Sequence, residues 1–249
     1  MKSSLKNSPD NKKEEVIEPA DVDTTALAEL EDHLPDTAPV TLALGSVSGS
    51  VDSRDIIIPK LNITQNVGPL SEEFEGGDIV YSKETVLVSK EVPIFMTVLS
   101  IKKTYEDRLP YDPNGPRPKV YETIEEVIEA GLWVDWRGNE APPVREVGTM
   151  LVLIEQPDGV DHLGFNHEIE GKTYALAMWV ARGSAYTRGA KKVFSASQIE
   201  LAKGGLMSGK WELSTKREQI NGNWVFVPVM RIVGKNSPEF IKQISDRLS

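Results

Sequence analysis

Lys210-Trp-Glu-Leu-Ser-Thr-Lys-Arg217 and Asn223-Trp-Val-Phe-Val-Pro-Val-Met-Arg-Ile-Val233, joined by a short connection containing Asn221-Gly222, decide how this chain folds. Both arms are strand-like, and Asn-Gly is the turn dipeptide whose positive φ suits the right-handed twist of paired strands, so a β-hairpin is expected. Alternation along the second arm puts Trp224, Phe226, Pro228, Met230 and Ile232 on one face, which reads as core. Trp211 lies between Lys210 and Glu212 on the more polar arm and reads as an exposed aromatic.

Working outward, further strands are expected at residues 78–81, 85–89, 92–101, 147–156 and 172–182. The run 56–63 opens the folded part, with Pro59 pushing it toward an edge or a strand start. Most of these runs are continuously apolar rather than alternating, so both faces of the sheet should be covered. Thr123-Ile-Glu-Glu126 is a capping box opening a helix through about Ala130, closed by Gly131. A second helix is expected from about Arg188 to Lys203, with Gly204-Gly205 as its stop. A third takes Ser237 as N-cap and Pro238 as first residue, with Phe240, Ile241 and Ile244 inward. The Pro-rich stretch 109–119 reads as a surface loop and 159–171 as a solvated loop. The fold class is α+β, mostly antiparallel β with two or three helices.

None of the residues before Phe74 is aromatic. Residues 1–36 are rich in Lys, Glu, Asp, Ser and Pro, so burial cannot offset their ordering entropy, and a disordered acidic tail and linker over 1–52 is expected before one β-rich domain over 53–249. Within it, Leu27, Leu30 and Leu34 have helical spacing, read as a transient helix or a docking peptide. Deleting residues 1–36 is therefore expected to leave the thermal midpoint nearly unchanged in calorimetry; a drop of many degrees would show that the segment packs on the domain. No apolar stretch follows Lys2, Lys6, Lys12 and Lys13, so no secretory signal is expected. The longest uncharged run, 37–51, is too rich in Ser, Thr and Gly for a membrane span.

Net charge is −10, distributed unevenly: residues 1–50 carry −6, 51–170 carry −12 and 171–249 carry +8. Such segregation points to an acidic tail and a basic face on one molecule. Catalytic signatures are scarce. There is no cysteine, so no thiolate metal site or thiol nucleophile exists. His162 and His167 match no standard metal spacing. Ser100 and Lys103 have a serine-hydrolase spacing but fall on a strand. Gly204, Gly205 and Gly209 form no phosphate-binding loop. No enzyme activity, metal or cofactor is expected.

What stands out is Arg182-Gly-Ser-Ala-Tyr186-Thr-Arg188-Gly-Ala-Lys191-Lys192, with four cations, one aromatic and no acid. A basic glycine-bearing loop entering a helix offers mobile charges and free backbone N–H groups to phosphate; the competing reading is a solvated helix face. On the strand before it, Ala175, Ala177, Trp179 and Ala181 share a face, either a shelf on which a base stacks or a seat for a helix. The hairpin adds Lys210, Trp211, Lys216 and Arg217. The candidate nucleic-acid-binding residues are thus Trp179, Arg182, Tyr186, Arg188, Lys191, Lys192, Lys210, Trp211, Lys216 and Arg217.

Ile57-Ile-Pro-Lys-Leu-Asn-Ile-Thr-Gln-Asn66, Gly76-Gly-Asp78, Trp211-Glu-Leu-Ser-Thr215 and Asn223-Trp-Val-Phe-Val-Pro228 resemble, over about residues 57–233, a loose group of bacteriophage-encoded proteins, some of them single-stranded DNA-binding proteins. The resemblance implies an OB-like β-barrel and single-stranded DNA binding in phage-type replication or recombination, in the host cytoplasm. It also implies replication or recombination proteins as partners for the acidic tail; a homo-oligomer is compatible with it. Acidic tails of such proteins are often C-terminal, whereas this one is N-terminal. A virion structural or assembly protein that binds no nucleic acid is the alternative.

Overall fold

The computed structural model describes residues 57–109, 115–220 and 222–248. The expected acidic tail, its 24–34 helix, the linker and part of the Pro-rich loop lie outside the described residues. In chain order the strands are β1 (Leu61–Ile63), β2 (Ile79–Tyr81), β3 (Thr85–Val88), β4 (Ile94–Asp107), β5 (Val120–Tyr121), β6 (Val144–Glu155), β7 (Phe165–Ile169), β8 (Lys172–Arg182), β9 (Gly209–Ile220) and β10 (Asn223–Lys235). The helices are α1 (Ile124–Glu129), α2 (Gly183–Ala185), which runs through a π-helical turn (Tyr186–Ala190) into α3 (Lys191–Gln198), and α4 (Pro238–Leu248).

The hairpin forms, with its first strand running past Arg217 to Ile220, which lies opposite Asn223, and with Gly222 at φ 84. It ends a seven-stranded sheet ordered β10-β9-β4-β6-β8-β7, with β5 added beside β4; β1, β2 and β3 make a second, small sheet. Every strand pairing is antiparallel. β10 is an edge strand, which is why Pro228, with no N–H to donate, is tolerated within it.

The large sheet curls into a half-barrel that stays open. The segment around β1 straps the opening. At one edge Met178 N–H donates to the Pro59 carbonyl at 2.8 Å; at the other, the Gln65 amide exchanges two hydrogen bonds with the Phe226 backbone at 2.8 and 2.9 Å. Those anchor points are six residues apart, about 20 Å of extended chain.

Both faces of the sheet are covered, as the continuous apolar runs require. On one face Met150, Val152 and Ile154 of β6, with Ala175, Ala177, Trp179 and Ala181 of β8, join Leu61, Ile79, Tyr81 and Leu87 of the small sheet and Tyr186, Ala190 and Val193 of the helical segment 183–198. On the other face Leu153 of β6 and Tyr174 and Leu176 of β8 pack against Phe240 and Ile244 of α4, which Ser237 caps by accepting from Phe240 N–H at 2.9 Å. α1 also forms as read, with Thr123 accepting from Glu126 N–H at 3.2 Å and Gly131 at φ 76 just past its end.

Three sequence expectations are corrected. The solvated loop 159–171 contains β7, whose alternation of buried Phe165 and Ile169 with exposed Asn166 and Glu168 is that of a short edge strand. The strand at 92–101 runs on to Asp107. The second helix begins at Gly183 and stops at Gln198 rather than Lys203, because the chain turns there to bury Leu201.

Candidate nucleic-acid interface

Each strand alternates its side chains between two environments, and this sorts the candidate residues. On β9, Trp211, Leu213 and Thr215 are buried, while Lys210 and Glu212 on the opposite face pair with Glu155 (2.9 Å) and Arg231 (2.5 Å). Trp211 is therefore core, 2% exposed. Its partner strand reverses the expectation too. Trp224, assigned to the core, is 51% exposed, because it lies near the hairpin tip, where the Arg217 guanidinium stacks on one face of the ring and no core side chain covers the other.

Trp179 and Tyr186 are likewise buried, and the alanines of β8 are a helix seat rather than a stacking shelf. A Cβ added to Gly189 would lie 2.8 Å from Trp179 Cη2, which measures how closely the helical segment sits on that indole. No base can reach these three rings in this fold. Arg182 is also withdrawn from the candidate set. Its guanidinium meets Glu106 at 2.9 Å, and Arg145 meets the same carboxylate at 2.5 Å, so a buried Arg–Glu–Arg triad crosses β4, β6 and β8. Burial alone would push the Glu106 carboxyl up; the two guanidiniums outweigh it and hold the carboxyl below the ordinary carboxylate range.

The remaining cations gather around one feature. Between α3 and the β9–β10 hairpin runs an open groove of about 720 Å³, lined by Lys191, Lys192, Ser195 and Ile199 from the helix and by Met230, Arg231 and Ile232 from β10. Lys191 has no side-chain partner among the described residues. Lys192 Nζ donates to the Met230 carbonyl at 3.2 Å, and Arg231 is held by Glu212 at the rim. Glu200 at one end is the groove's acidic group. Toward the hairpin tip, Arg188 meets Glu218 at 2.6 Å, Lys216 approaches the same carboxylate at 3.6 Å, and Arg217 lies 4.8 Å over the Trp224 ring. Met230 to Trp224 is six residues of strand, so the lined stretch is about 20 Å long.

No protein-family model, curated protein or solved structure matches this chain. The reading of the groove therefore rests on its own geometry.

Of the ten residues singled out by sequence, Lys191, Lys192 and the nearly buried Trp211 line the groove, and Arg188, Lys216 and Arg217 lie toward the same hairpin. Lys210 is engaged elsewhere, its Nζ shared between Glu155 and the face of Phe95 at 4.9 Å. Sequence reading missed Ser195 and Trp224. The four-residue spacing Thr187, Lys191, Ser195 was the available signal for a polar helix face, and the closeness of Trp224 to the Asn-Gly turn was the signal for exposure.

The weaker chemical readings do not assemble. Ser100 and Lys103 are three residues apart on β4 and so point to opposite faces; Lys103 is bound to Glu146 at 2.5 Å. His162 Nδ1 accepts from Gly164 N–H at 2.9 Å and its ring meets Tyr81 edge-on, whereas His167 sits on β7, where burial and nearby Arg247 push its pKa down. Among the described residues no group of three His, Asp or Glu side chains is placed to hold a metal ion, and no helix is long and apolar enough to cross a membrane.

Proposed function

We propose that this protein binds single-stranded DNA along the groove between α3 and the β9–β10 hairpin, with phosphates on Lys191 and Lys192 and a base on Trp224. The observation that carries this reading is the alignment of a cation-lined groove with an exposed indole on the same strand. Backbone charge supplies most of the affinity for a single strand, and an exposed ring supplies a sequence-tolerant platform. Arg217, already over one face of Trp224, extends the platform by offering a second planar group beside it. The OB-like relationship and the role in phage-type replication or recombination belong to the same reading, supported by the curled antiparallel sheet and by the resemblance.

Tryptophan fluorescence tests it. Oligo(dT) is expected to quench the protein, and duplex of equal length much less. Trp224→Phe is expected to remove most of the quench, since Trp179 and Trp211 are buried and Trp133 and Trp136 lie between β5 and β6, away from the groove. Trp224→Ala is expected to weaken binding by about 1–3 kcal/mol with the salt slope retained. Lys191→Ala with Lys192→Ala is expected to reduce that slope by about 1.4, two phosphate contacts at about 0.7 each. Absence of both quenching and a gel shift with a 30-mer at about 50 mM salt, where phosphate contacts are strongest, would overturn the reading.

A further inference from the structure

We propose that the same groove takes the Trp136-bearing insertion of a second copy of this chain, joining copies head to tail. The insertion is residues 120–143, between β4 and β6. Its inner side packs Tyr121, Val127, Ile124 and Leu132 against Tyr105 and Val144. Its outer side is left open among the described residues: Ile128 is 64% exposed and Trp136 62%. Around them stand Glu125, Glu129, Asp135 and Glu140, all exposed and with no ion-pair partner among the described residues.

The groove is the complement of that surface. Its floor is Ala196, Met230 and Ile232, its wall is Ile199 at 74% exposure, and its cations are Lys191 and Lys192; Arg231 is turned to the other face of β10, against Glu212. Acids around exposed apolar side chains thus face cations around an exposed apolar groove, and charge complementarity of this kind selects partner and register. Two charges oppose the contact: Glu200 in the groove would meet the insertion's acids, and Arg137 beside Trp136 would meet the groove's lysines.

A single copy cannot make the contact with itself. β4 carries both sites, pairing with Trp211 beside the groove at Met96 and with β5 of the insertion at Tyr105 and Glu106. Ten residues of strand separate them by about 33 Å. Two different patches joined in one direction between copies make a head-to-tail contact, which runs on as an open chain unless its rotation closes it into a ring. The contact needs no nucleic acid, although it occupies the groove proposed for it.

Sedimentation velocity on the full chain tests this. At about 50 mM salt the weight-average mass is expected to climb with concentration beyond twice 27.5 kDa, and at about 500 mM salt to fall back to the monomer. Lys191→Glu with Lys192→Glu, and separately Glu125→Lys with Glu129→Lys, are each expected to stay monomeric alone, with circular dichroism unchanged. Mixed in equal amounts they are expected to associate again, because each then offers a complementary surface to the other. A monomer at every concentration up to about 1 mM overturns the proposal. So does association of the wild type that either variant retains alone, or that the mixture fails to recover. A chain that self-associates in this pattern yet leaves oligo(dT) unshifted overturns the DNA reading and leaves this one standing.

Discussion

Glu106→Gln is expected to destabilise the protein by about 3–5 kcal/mol, the usual consequence of removing one member of a buried ion pair. The carboxylate is 4% exposed and is shared by Arg145 and Arg182, whose side chains are 9% and 10% exposed. A glutamine of the same shape leaves two nearly buried guanidiniums without the charge they converge on. For a chain of this size the midpoint should fall by roughly 10 °C or more. The pH dependence gives the expectation a sign. The Glu106 carboxyl is lowered in the folded protein from its ordinary 4.5, so its contribution is in full force above that value and is lost as pH falls through the lowered one. Thermal melts of wild type and variant should therefore lie far apart near neutrality and converge in acid. A variant that melts with the wild type at pH 7 would show that the triad is held by something other than Glu106.

The triad also explains why part of the candidate site was not legible. Arg182 stands in a run of four cations, and composition gives no hint that a carboxylate 76 residues away on β4 has taken it. Long-range pairing across three strands is a property of register, and register is visible only once strands are assembled. Trp211 was misread for a different reason. Its polar neighbours Lys210 and Glu212 suggest exposure, yet on an alternating strand polar neighbours on both sides mark the residue between them as inward. Trp224 failed the opposite way: it shares a face with Phe226 and Met230, but a face is buried only as far as something covers it, and the helical segment does not reach the tip. The hairpin itself, the capped ends of α1 and α4 and the limits of β8 were readable because each rests on local chemistry: an Asn-Gly turn, a Thr or Ser cap, a run of strand formers ending in glycine. β7 was not, since five residues with one histidine among them carry too little pattern to stand out from a loop.

Gly148→Ala is expected to cost about 1–3 kcal/mol, the range for forcing one extra carbon into a filled contact. Gly148 is buried in β6 under the π-helical turn, and a Cβ built there would lie 2.5 Å from Ala190 Cβ. Neither atom has a torsion that would let it step aside, so the sheet and the helical segment must move apart. That segment carries Arg188, Lys191 and Lys192, so the displacement should also widen the groove and weaken oligo(dT) binding, though no ligand-facing side chain has changed. The compensating change is Ala190→Gly, which returns the missing volume from the other side. Alone it should cost about 1 kcal/mol, the helix propensity lost on going from alanine to glycine. Combined with Gly148→Ala it should bring stability to within about 1 kcal/mol of wild type, an interaction of opposite sign to the two separate losses. Denaturant unfolding of the four proteins measures that interaction directly. Strictly additive losses would mean that the helical segment does not rest on Gly148 in solution, and the cations it carries would then have no fixed place beside β10.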